Sequence, residues 1–562
     1  MKLKESMKRE KFTWMLFSLS LLFFLLTILF TDPGHPEASP YWYISELYWT
    51  FWLGLLLSVF CVYTSMDGSR WMKVMSILLP VLYIYTLPSM VHDMMPVFDV
   101  YHVIPPALSI LKTGEINLVQ TNFPMSHVYY ASGISILNIN GLVYARLVPT
   151  IIAFVVVLGV YVVAKRFDDR YAVFAPLIFV SLNWYMEYHM ARQGYGVMLW
   201  TVFFVFLFLA VYESDIKLGL LAGVLLILII PSHPGIIIIV SFNLIFLAGF
   251  KIVDNIKRRD LSQWSVFLYP AVFFLTLFIA YKFVPEINEF LGTLIEQVQQ
   301  GGFQGFALGG PPSSSQSYLL TNRIRMAMGL FHSLFGFLAL IFIFKKGEQK
   351  TIVMGSWFLG CYLWLAYSFT HNGYLVERSF LTSVIPASIM IPYLIDKDNL
   401  PFKRFDLDRA LSITTVLMVV LFLLFIPIAK NSVDAIETPS RSAFDAGRFA
   451  QNNMEGRVYM TDTHEGMFRY LEATANSSVS FRSRRAGAAE RYELGMNFGY
   501  SVPATSNPNV SPLLFTDYFL NYFTVRYGNE TVAKNMRVYE KQVSRLSGNI
   551  YDSGGARVYS RV

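Results

Sequence analysis

The sequence predicts a polytopic α-helical membrane protein that carries a small α/β domain after its last span. Of its 562 residues, 54% are hydrophobic and only 15% are charged, whereas a soluble protein of this length would expose far more charge. Apolar runs of about 17–22 residues recur, and that length crosses a hydrocarbon core of about 30 Å. The net charge of +7 lies mostly in short loops beside these runs, so it indicates no nucleic-acid partner.

About thirteen spans are predicted, with the loops between them on alternating sides. They cover residues 13–30, 47–66, 74–91, 142–164, 171–186, 195–212, 217–231, 236–250, 264–283, 326–344, 351–369, 379–395 and 410–429. The first run is long and lacks a clean cleavage site, so it is interpreted as a retained signal anchor. Lys and Arg collect in every second loop, and by the positive-inside rule those loops are cytoplasmic. The N-terminus of this cell-membrane protein is therefore expected inside, and the segment after the last span outside.

Two domains are predicted, a transmembrane domain at 1–429 and an extracytoplasmic α/β domain at 430–562. In the second, RSAFDAGRFAQNN (441–453) predicts a helix, GRVYMTD a buried strand, and YFTVRYG, NMRVYEK and ARVYSRV alternate as strands. The DSGG turn that opens at Asp552 predicts a hairpin. Three N-x-Ser/Thr sequons agree with an external location. They are Asn476, Asn509 and Asn529.

The first outward loop, residues 91–141, places acidic residues beside the end of a span. Asp99 is embedded in the apolar stretch VFDVYHVI, and a carboxylate in that setting needs a partner or a task. Asp93 is a second acidic candidate in the same loop. The stretch PPALSILKTG predicts a short amphipathic helix on the membrane surface that ends at Gly114. The alternative is that these carboxylates are solvated loop residues.

Three further outward turns carry acidic and basic side chains. These are Glu187, His189 and Arg192 in NWYMEYHMARQGYG, His233 in SHPG, and His371 and Arg378 in HNGYLVERS. Carboxylates suit general-base chemistry or a divalent cation, whereas the planar fork of Arg suits phosphate. The structural alternatives are a Glu–Arg pair that pins two helices, a His that breaks a hairpin, and an Arg that snorkels to a headgroup. Together the loops indicate a site for a phosphate-bearing donor and a hydroxyl or amide acceptor.

These motifs resemble the GT-C superfamily of membrane glycosyltransferases, which includes oligosaccharyltransferases and protein mannosyltransferases. FDVYHVIPPALSILKTG is similar to the first outward loop of oligosaccharyltransferase catalytic subunits, where an acidic residue precedes Tyr and a surface helix, and EYHMARQGYG resembles their second outward motif. SHP, LVERSFLTSVIPASIM and the ending IYDSGGARVYSRV resemble segments of archaeal and bacterial members. Two features depart from the pattern. An extra hairpin precedes the acidic loop, and residues 430–562 contain no Trp, which argues against transfer of whole oligosaccharides to sequons.

The resemblance implies an integral-membrane glycosyltransferase that moves a sugar, with inversion, from a polyprenyl- or dolichyl-phosphate carrier to an extracytoplasmic glycan, lipid or protein acceptor. Asp99 matches the acidic position of the first loop and is expected to act as base or metal ligand. The other catalytic candidates are Asp93 and Glu187. The residues expected to contact the donor phosphate are Arg378, Arg192, His371 and His233. A divalent metal, Mg²⁺ or Mn²⁺, would be held by Asp99, Glu187 and His189, and the sequence leaves its presence open.

Other functions are compatible with parts of the pattern. A lipid or glycan transporter or flippase would need ionisable residues near mid-membrane and a repeat between its halves, and the sequence shows few of the former and no clear repeat. A glycan ligase or polymerase of another membrane class would also use outward Arg and His. Residues 284–325 are rich in Gly, Pro and Ser, so they form either a surface loop or a flap that orders over bound substrate.

Overall fold

The computed structural model describes most of the spans and the framework of a C-terminal sheet. Its described residues are 2–31, 41–92, 94–95, 99–116, 124–167, 169, 172–184, 190–258, 316–345, 349–369, 376–394, 407–431, 441–454, 457–460, 467, 471, 480–483, 513–516, 540–541, 548–552 and 556–560. The predicted span 264–283, the predicted strand YFTVRYG and the three sequons lie outside these residues. Of the predicted flap, residues 316–325 belong to a helix and the rest lies outside the described residues.

The transmembrane part has sixteen α-helices within the described residues. They are α1 (Lys2–Phe30), α2 (Trp42–Glu46), α3 (Thr50–Thr64), α4 (Arg70–Val81), α5 (Leu87–Val91), α6 (Asp99–Thr113), α7 (Pro124–Leu137), α8 (Gly141–Phe167), α9 (Phe174–Leu182), α10 (Arg192–Glu213), α11 (Ile216–Ile229), α12 (Pro234–Arg258), α13 (Gln316–Lys345), α14 (Gln349–Phe369), α15 (Val376–Met390) and α16 (Leu407–Asn431). A π-helical stretch, Leu82–Thr86, joins α4 to α5, and a 3₁₀ turn, Ile391–Leu394, continues α15.

The predicted fold class of a multi-pass α-helical membrane protein is confirmed. Within the described residues, eight helical segments are long and apolar enough to cross a membrane, and three shorter apolar helices accompany them. Every predicted span other than 264–283 overlaps a helix. A buried apolar core runs through the bundle, and large apolar side chains on the outer helix faces are exposed, as expected where lipid is the solvent.

Helix α9 is much shorter than the span predicted at 171–186. The helix holds only Phe174–Leu182. At 1.5 Å per residue its nine residues rise about 13 Å, which is less than half of a core of about 30 Å. The break falls at Asn183, whose φ of −88° and ψ of 85° are not helical. Hydropathy did not reveal this end, because apolar residues continue on both sides of the break.

The turns at one end of the bundle are joined by ion pairs, and this end is called the ion-pair end. Arg9 in α1 lies 3.2 Å from Asp67, in the turn between α3 and α4. Lys73 in α4 lies 3.8 Å from Asp169, in the turn between α8 and α9. Two further pairs at this end are Lys165–Asp169 and Arg166–Glu213. All of these turns belong to the loops predicted to be cytoplasmic.

The turns at the opposite end are joined by hydrogen bonds to backbone carbonyl groups, and this end is called the site end. The N–H of Met125 donates to the carbonyl of Pro231 at 3.2 Å. The hydroxyl of Tyr130 donates to the carbonyl of Ala191 at 2.7 Å. These loops are the ones predicted to face outward. The contacts therefore agree with the predicted alternation of loops, and which end faces the cytoplasm stays a prediction.

Helices α12 and α14 approach closely around a buried amide. Asn243 in α12 accepts a hydrogen bond from the indole of Trp200 at 3.2 Å, and its Nδ2 donates to the carbonyl of Trp357 at 2.7 Å. A Cβ placed on Gly360 would lie 2.6 Å from the backbone nitrogen of Asn243. A residue without a side chain is therefore needed at this crossing, in keeping with small residues and polar contacts at helix interfaces in membranes.

The C-terminal segment forms a helix, α17 (Arg441–Asn453), and a five-stranded sheet. The strands are β1 (Arg457–Met460), β2 (Ser480–Ser483), β3 (Leu513–Thr516), β4 (Gly548–Asp552) and β5 (Ala556–Ser560). Their order is β2-β1-β3-β5-β4, with β1 parallel to β2 and β3, and β5 antiparallel to β3 and β4.

The structure confirms the predicted α/β character of this segment. The predicted helix, the strand within GRVYMTD and the DSGG hairpin are present. The ring of Tyr551 in β4 stacks on Phe449 in α17 with 4.4 Å between their centroids. In NMRVYEK only Glu540 and Lys541 are described, and they are helical, so the predicted strand does not extend to them. The domain boundary between residues 429 and 430 stays a prediction.

Candidate functional site

The start of the first outward loop, at Ser89–His92, is held by a hydrogen-bonding arginine and by an aromatic ring. Arg146 in α8 donates from Nη1 to the carbonyls of Ser89 at 2.8 Å and His92 at 2.9 Å. The ring of Tyr43 stacks on His92 with 5.7 Å between centroids. Asp93 follows immediately and lies outside the described residues. Its proposed catalytic role therefore stays a prediction, although the residue before it is held at the site end.

The surface helix predicted in this loop is present as α6. It begins at Asp99. The buried hydroxyl of Tyr101 accepts a hydrogen bond from the N–H of Met95 at 3.1 Å, which ties the chain before Asp99 to the first turn of the helix. Gly114 has a φ of +73° and its N–H donates to Ile110, so it ends the helix as predicted. The side chain of Asp99 is outside the description, and its role stays a prediction.

Helix α7 places a buried histidine against α6. The Nδ1 of His127 lies 3.4 Å from the carbonyl of Val103, one helical turn after Asp99. Burial, reinforced by the cationic side chain of Arg192, lowers the pKa of His127 to about 4, while the Val103 carbonyl works in the opposite direction. His127 is therefore neutral at pH 7, with the proton on Nδ1 directed at the carbonyl.

Arg192 and His233 lie at the same end of the bundle, each at the start of a helix. Arg192 is the first residue of α10 and is exposed. The Nδ1 of His233 accepts a hydrogen bond from the N–H of Gly235 at 3.1 Å, which satisfies a free donor at the start of α12. This contact is a structural role for His233 that differs from the predicted alternative, a His that breaks a hairpin. Contact of either residue with a donor phosphate stays a prediction.

A buried arginine that the sequence analysis did not select lies on α13. Arg325 is 8% exposed, and its Nε donates to the carbonyl of Ala429 at 2.8 Å. Its guanidinium carbon lies 5.0 Å from the centre of the Trp184 ring. Trp184 follows the broken end of α9, so Arg325 joins α13, α16 and the chain after α9 below the outer surface of the bundle.

A buried lysine lies next to this arginine. Lys430 follows Ala429 in α16 and is also 8% exposed. Its Nζ donates to the carbonyl of Ile84 at 3.2 Å and lies 3.6 Å from the centre of the Tyr85 ring. The Tyr85 hydroxyl in turn donates to the carbonyl of Asn183 at 3.4 Å. Two buried cations from different helices therefore meet around the end of α9.

Sequence alone gave a weak signal for these two cations. Arg325 and Lys430 each stand near the end of an apolar run, where Lys and Arg commonly snorkel to a headgroup. The side chain of Arg323, two residues before Arg325, is exposed. Burial is what distinguishes Arg325 from Arg323, and burial depends on helices that are distant in the sequence.

The remaining predicted site residues fall where side chains are not described. Glu187, His189 and His371 lie outside the described residues, and Arg378 is described only as part of helix α15. Glu187 and His189 belong to the five residues that connect Trp184 to Met190. Trp184 and Met190 are buried at the site end. These assignments stay predictions.

The predicted metal site is likewise not tested. The described part of the chain contains no group of three or more His, Cys, Asp and Glu side chains that could hold a metal ion. The predicted ligand side chains of Asp99, Glu187 and His189 are not among those described. A divalent metal stays a prediction from the sequence.

Comparison with known proteins gives a structural match and no sequence match. No protein-family model and no curated protein matches the sequence. The crystal structure of ArnT from Cupriavidus metallidurans bound to undecaprenyl phosphate superposes with a TM-score of 0.50, covering 88% of this chain and 98% of ArnT at 12% identity. This chain has a GT-C fold. The oligosaccharyltransferase of Archaeoglobus fulgidus, in complex with zinc and sulfate, has a TM-score of 0.46 at 13% identity, covering 87% of this chain and 73% of its own.

The GT-C fold confirms the architecture that the loop motifs implied. At 12% identity the likeness concerns the path of the chain, so it assigns neither a substrate nor a catalytic residue. The chemistry of this protein depends on the side chains at its own site end.

Proposed function

We propose that this GT-C protein is an integral-membrane glycosyltransferase that uses a polyprenyl-phosphate-linked sugar donor. The observation that carries the proposal is the meeting of two buried cations, Arg325 and Lys430, at the site end. ArnT, which shares the fold, was crystallised with undecaprenyl phosphate. A lipid carrier with a phosphate head suits a site of this kind, because its tail stays in the bilayer while its head reaches the cations.

The two cations offer complementary contacts to a phosphate. A guanidinium presents several N–H groups in a rigid fork that can bind two phosphate oxygens, whereas an ammonium acts as a compact charge. Their contacts with the Ala429 and Ile84 carbonyls hold both heads in place before a ligand arrives. Electrostatic attraction is stronger where water is excluded, so a phosphate near these buried groups would be bound more tightly than at the exposed Arg192.

The proposed reaction is displacement at the anomeric carbon of the donor sugar. Asp99 accepts the proton of the acceptor hydroxyl or orients it, the acceptor oxygen forms the new glycosidic bond, and the bond between the sugar and polyprenyl phosphate breaks. The leaving phosphate carries the electron pair and is stabilised by Arg325 and Lys430, together with Arg378. A divalent metal at Asp99, Glu187 and His189 would supply further charge stabilisation.

The expected setting is the extracytoplasmic surface of the cell membrane. The positive-inside pattern predicts that the site end faces outward, together with the C-terminal α/β segment. The acceptor would then be a cell-surface glycan, a glycolipid or a protein. Because residues 430–562 contain no Trp, monosaccharide or lipid-glycan transfer is favoured over transfer of whole oligosaccharides to sequons.

A lipid-linked sugar transporter is the second candidate function. The observation that favours it is the break of α9 within the membrane, because interrupted helices mark the binding sites of many transporters. A transporter moves the intact donor across the bilayer, whereas a transferase cleaves it, so the two functions differ in their products.

The test is incubation of the purified protein with a panel of polyprenyl-phosphate sugars and a membrane lipid extract as acceptor. Mass spectrometry is expected to show loss of one donor, release of free polyprenyl phosphate and a lipid or glycan product heavier by one sugar. Intact donor throughout, combined with its movement across the bilayer of reconstituted vesicles, would contradict the transferase and support the transporter.

A further inference from the structure

Asn183, a buried residue at the site end, makes hydrogen bonds through its backbone groups but, among the described residues, none through its side-chain amide. Asn183 is 1% exposed, its N–H donates to the carbonyl of Phe179 at 2.9 Å, and its carbonyl accepts from the Tyr85 hydroxyl. Both polar atoms of its carboxamide, Oδ1 and Nδ2, have no hydrogen-bond partner in the part of the chain that the structure describes. Buried polar side chains are nearly always hydrogen-bonded, so this amide needs an explanation.

A second buried asparagine shows the usual arrangement. Asn243 is fully buried, its Oδ1 accepts from Trp200, and its Nδ2 donates to carbonyls of Ser356 and Trp357. The two residues share chemistry and burial, and they differ in whether the amide is satisfied within the protein. Asn243 therefore serves as the internal standard for a structural asparagine.

The position of Asn183 is unusual as well. It follows the last residue of α9, which ends after about 13 Å of rise. Non-helical backbone at membrane depth is tolerated only where it is enclosed by protein or lines a cavity. The amide therefore lies in non-helical backbone that is enclosed by the bundle.

Asn183 lies next to Tyr85 and Trp184, the two aromatic rings that the buried cations contact. Tyr85, which bonds to the Asn183 carbonyl, lies under Lys430. Trp184, the next residue along the chain, lies under Arg325. The unsatisfied amide is therefore linked through one contact on each side to the proposed phosphate site.

We propose that Asn183 recognises the donor at the junction of its phosphate and its sugar. Its Nδ2 donates to a phosphate oxygen, and its Oδ1 accepts from the sugar hydroxyl nearest that phosphate, on the carbon beside the anomeric centre. A carboxamide presents a donor and an acceptor side by side, whereas a carboxylate would repel the phosphate. This inference rests on the proposed function and assigns Asn183 as a residue that selects among polyprenyl-phosphate sugars.

The simpler alternative is that Asn183 only ends α9. In that case only the backbone contacts of Asn183 matter. A Leu of similar volume would remove two unsatisfied polar atoms without changing the reaction rate. Asn183→Leu would then raise the melting temperature and leave donor handling unchanged. A donor-binding amide predicts the same rise in melting temperature, but accompanied by weaker binding and altered selectivity.

The experiment compares wild-type protein, Asn183→Leu, Asn183→Asp and the control Asn243→Leu. The melting temperature, the Kd for undecaprenyl phosphate, and kcat/KM for a donor and its deoxy analogue lacking the neighbouring hydroxyl are measured. Asn183→Leu is expected to weaken undecaprenyl phosphate binding about 10-fold, the loss typical of one hydrogen bond to a charged group. It is also expected to lose most of the preference for the hydroxylated donor. Asn183→Asp is expected to bind more weakly still.

The control separates this result from general damage to the bundle. Asn243→Leu leaves the buried indole N–H of Trp200 without its acceptor and removes the side-chain hydrogen bonds to α14, so it is expected to lower the melting temperature without changing Kd or selectivity in the folded fraction. Unchanged Kd and unchanged selectivity in both Asn183 variants would overturn the inference and leave the proposed function standing. If wild-type protein neither binds undecaprenyl phosphate nor consumes any donor, both are overturned. Failure of Asn183→Leu to fold would transfer the decision to Asn183→Asp in the same assay.

Discussion

The two ends of the helix bundle hold their cations in different ways. At the ion-pair end, Arg9 and Asp67 pair while their side chains are 72% and 60% exposed. Lys73 at that end is itself buried, but its carboxylate partner Asp169 is 62% exposed, and the other pairs there also involve exposed partners. At the site end, Arg325 and Lys430 are buried, and their described contacts are with carbonyl groups and aromatic rings.

The difference shows which charges are of interest for function. An exposed ion pair contributes about 0–1 kcal/mol, so the ion-pair end can be explained as solvated loops that orient the protein in the membrane. Burial of a charge costs several kcal/mol before compensation. Two buried cations from different helices near one helix end are therefore the charges that the proposed phosphate site uses. A count of Lys and Arg along the sequence treats both ends alike.

The orientation of the two ends gives an all-or-none test. Glu115→Cys, exposed after α6, is expected to react with an impermeant maleimide in intact cells, and Lys217→Cys, exposed in the first turn of α11, only after lysis. The native Cys61 and Cys361 are buried and give little background. The reverse pattern would place the site end in the cytoplasm and contradict the proposed setting.

The largest graded effect is expected at Asp99. Asp99→Asn keeps the size of the side chain but cannot act as a base at neutral pH, so turnover is expected to fall about 10²–10⁴-fold. The melting temperature and donor binding should stay close to wild type. Product formation and a melting curve on one preparation check this, with Glu115→Gln in the same loop as the control. Normal turnover in Asp99→Asn would move the base to Asp93 or Glu187.

Two arginines of α13 offer a matched comparison of buried and exposed charge. Arg325→Gln removes a charged donor, and a hydrogen bond to a charged group contributes about 1.5–3 kcal/mol, which corresponds to a loss of roughly 10–150-fold in affinity for undecaprenyl phosphate. Arg323→Gln, at an exposed position of the same helix, is expected to bind normally. Equal Kd values for the two variants would remove the buried pair from the phosphate site, and Lys430→Gln provides a second measurement.

The buried His127 predicts a pH dependence that belongs to the site end. Because burial lowers its folded pKa to about 4, the unfolded chain binds a proton near pH 6.5 that the folded protein still excludes. Stability is therefore present at neutral pH and is lost as the pH falls from about 6.5 towards 4. A loss of about 1–2 kcal/mol is expected between pH 6.5 and pH 5. Melting temperatures across this range should change less in His127→Gln, and parallel curves would contradict the prediction.

The smallest effect is expected at the ion-pair end. Asp169 is 62% exposed and pairs with the buried Lys73 and with Lys165. In Asp169→Asn, Lys73 keeps its hydrogen bond to the backbone carbonyl of residue 169, so the variant is expected to cost about 0.5–1 kcal/mol, a loss that salt reduces. Turnover and donor affinity should not change. Melting curves at low and high salt test the first statement, and a loss of donor affinity in this variant would show that the two ends do not have separate roles.

Much of the fold could be predicted because the bilayer imposes the same hydrogen-bonding requirement on each apolar segment separately. Every apolar run must satisfy its own backbone within a helix, so the span positions follow from composition and length. The end of α6 at Gly114 and the α17 helix at Arg441–Asn453 were predicted for equally local reasons, a residue that tolerates positive φ and a helical hydrophobic pattern. Asp99 at the start of α6 was found in the same way, from one charge in an apolar stretch.

The sequence by itself determined that the chain crosses the membrane many times, that its loops alternate and that a GT-C arrangement is expected. Only the tertiary structure decided that α9 stops at Asn183 and that Arg325 and Lys430 are buried together. The physical reason is separation along the chain: Arg325 contacts Ala429 across 104 residues, and Lys430 contacts Ile84 across 346 residues. Burial of a charge is a property of the helices packed around it, and no local pattern in the sequence records which helices those are.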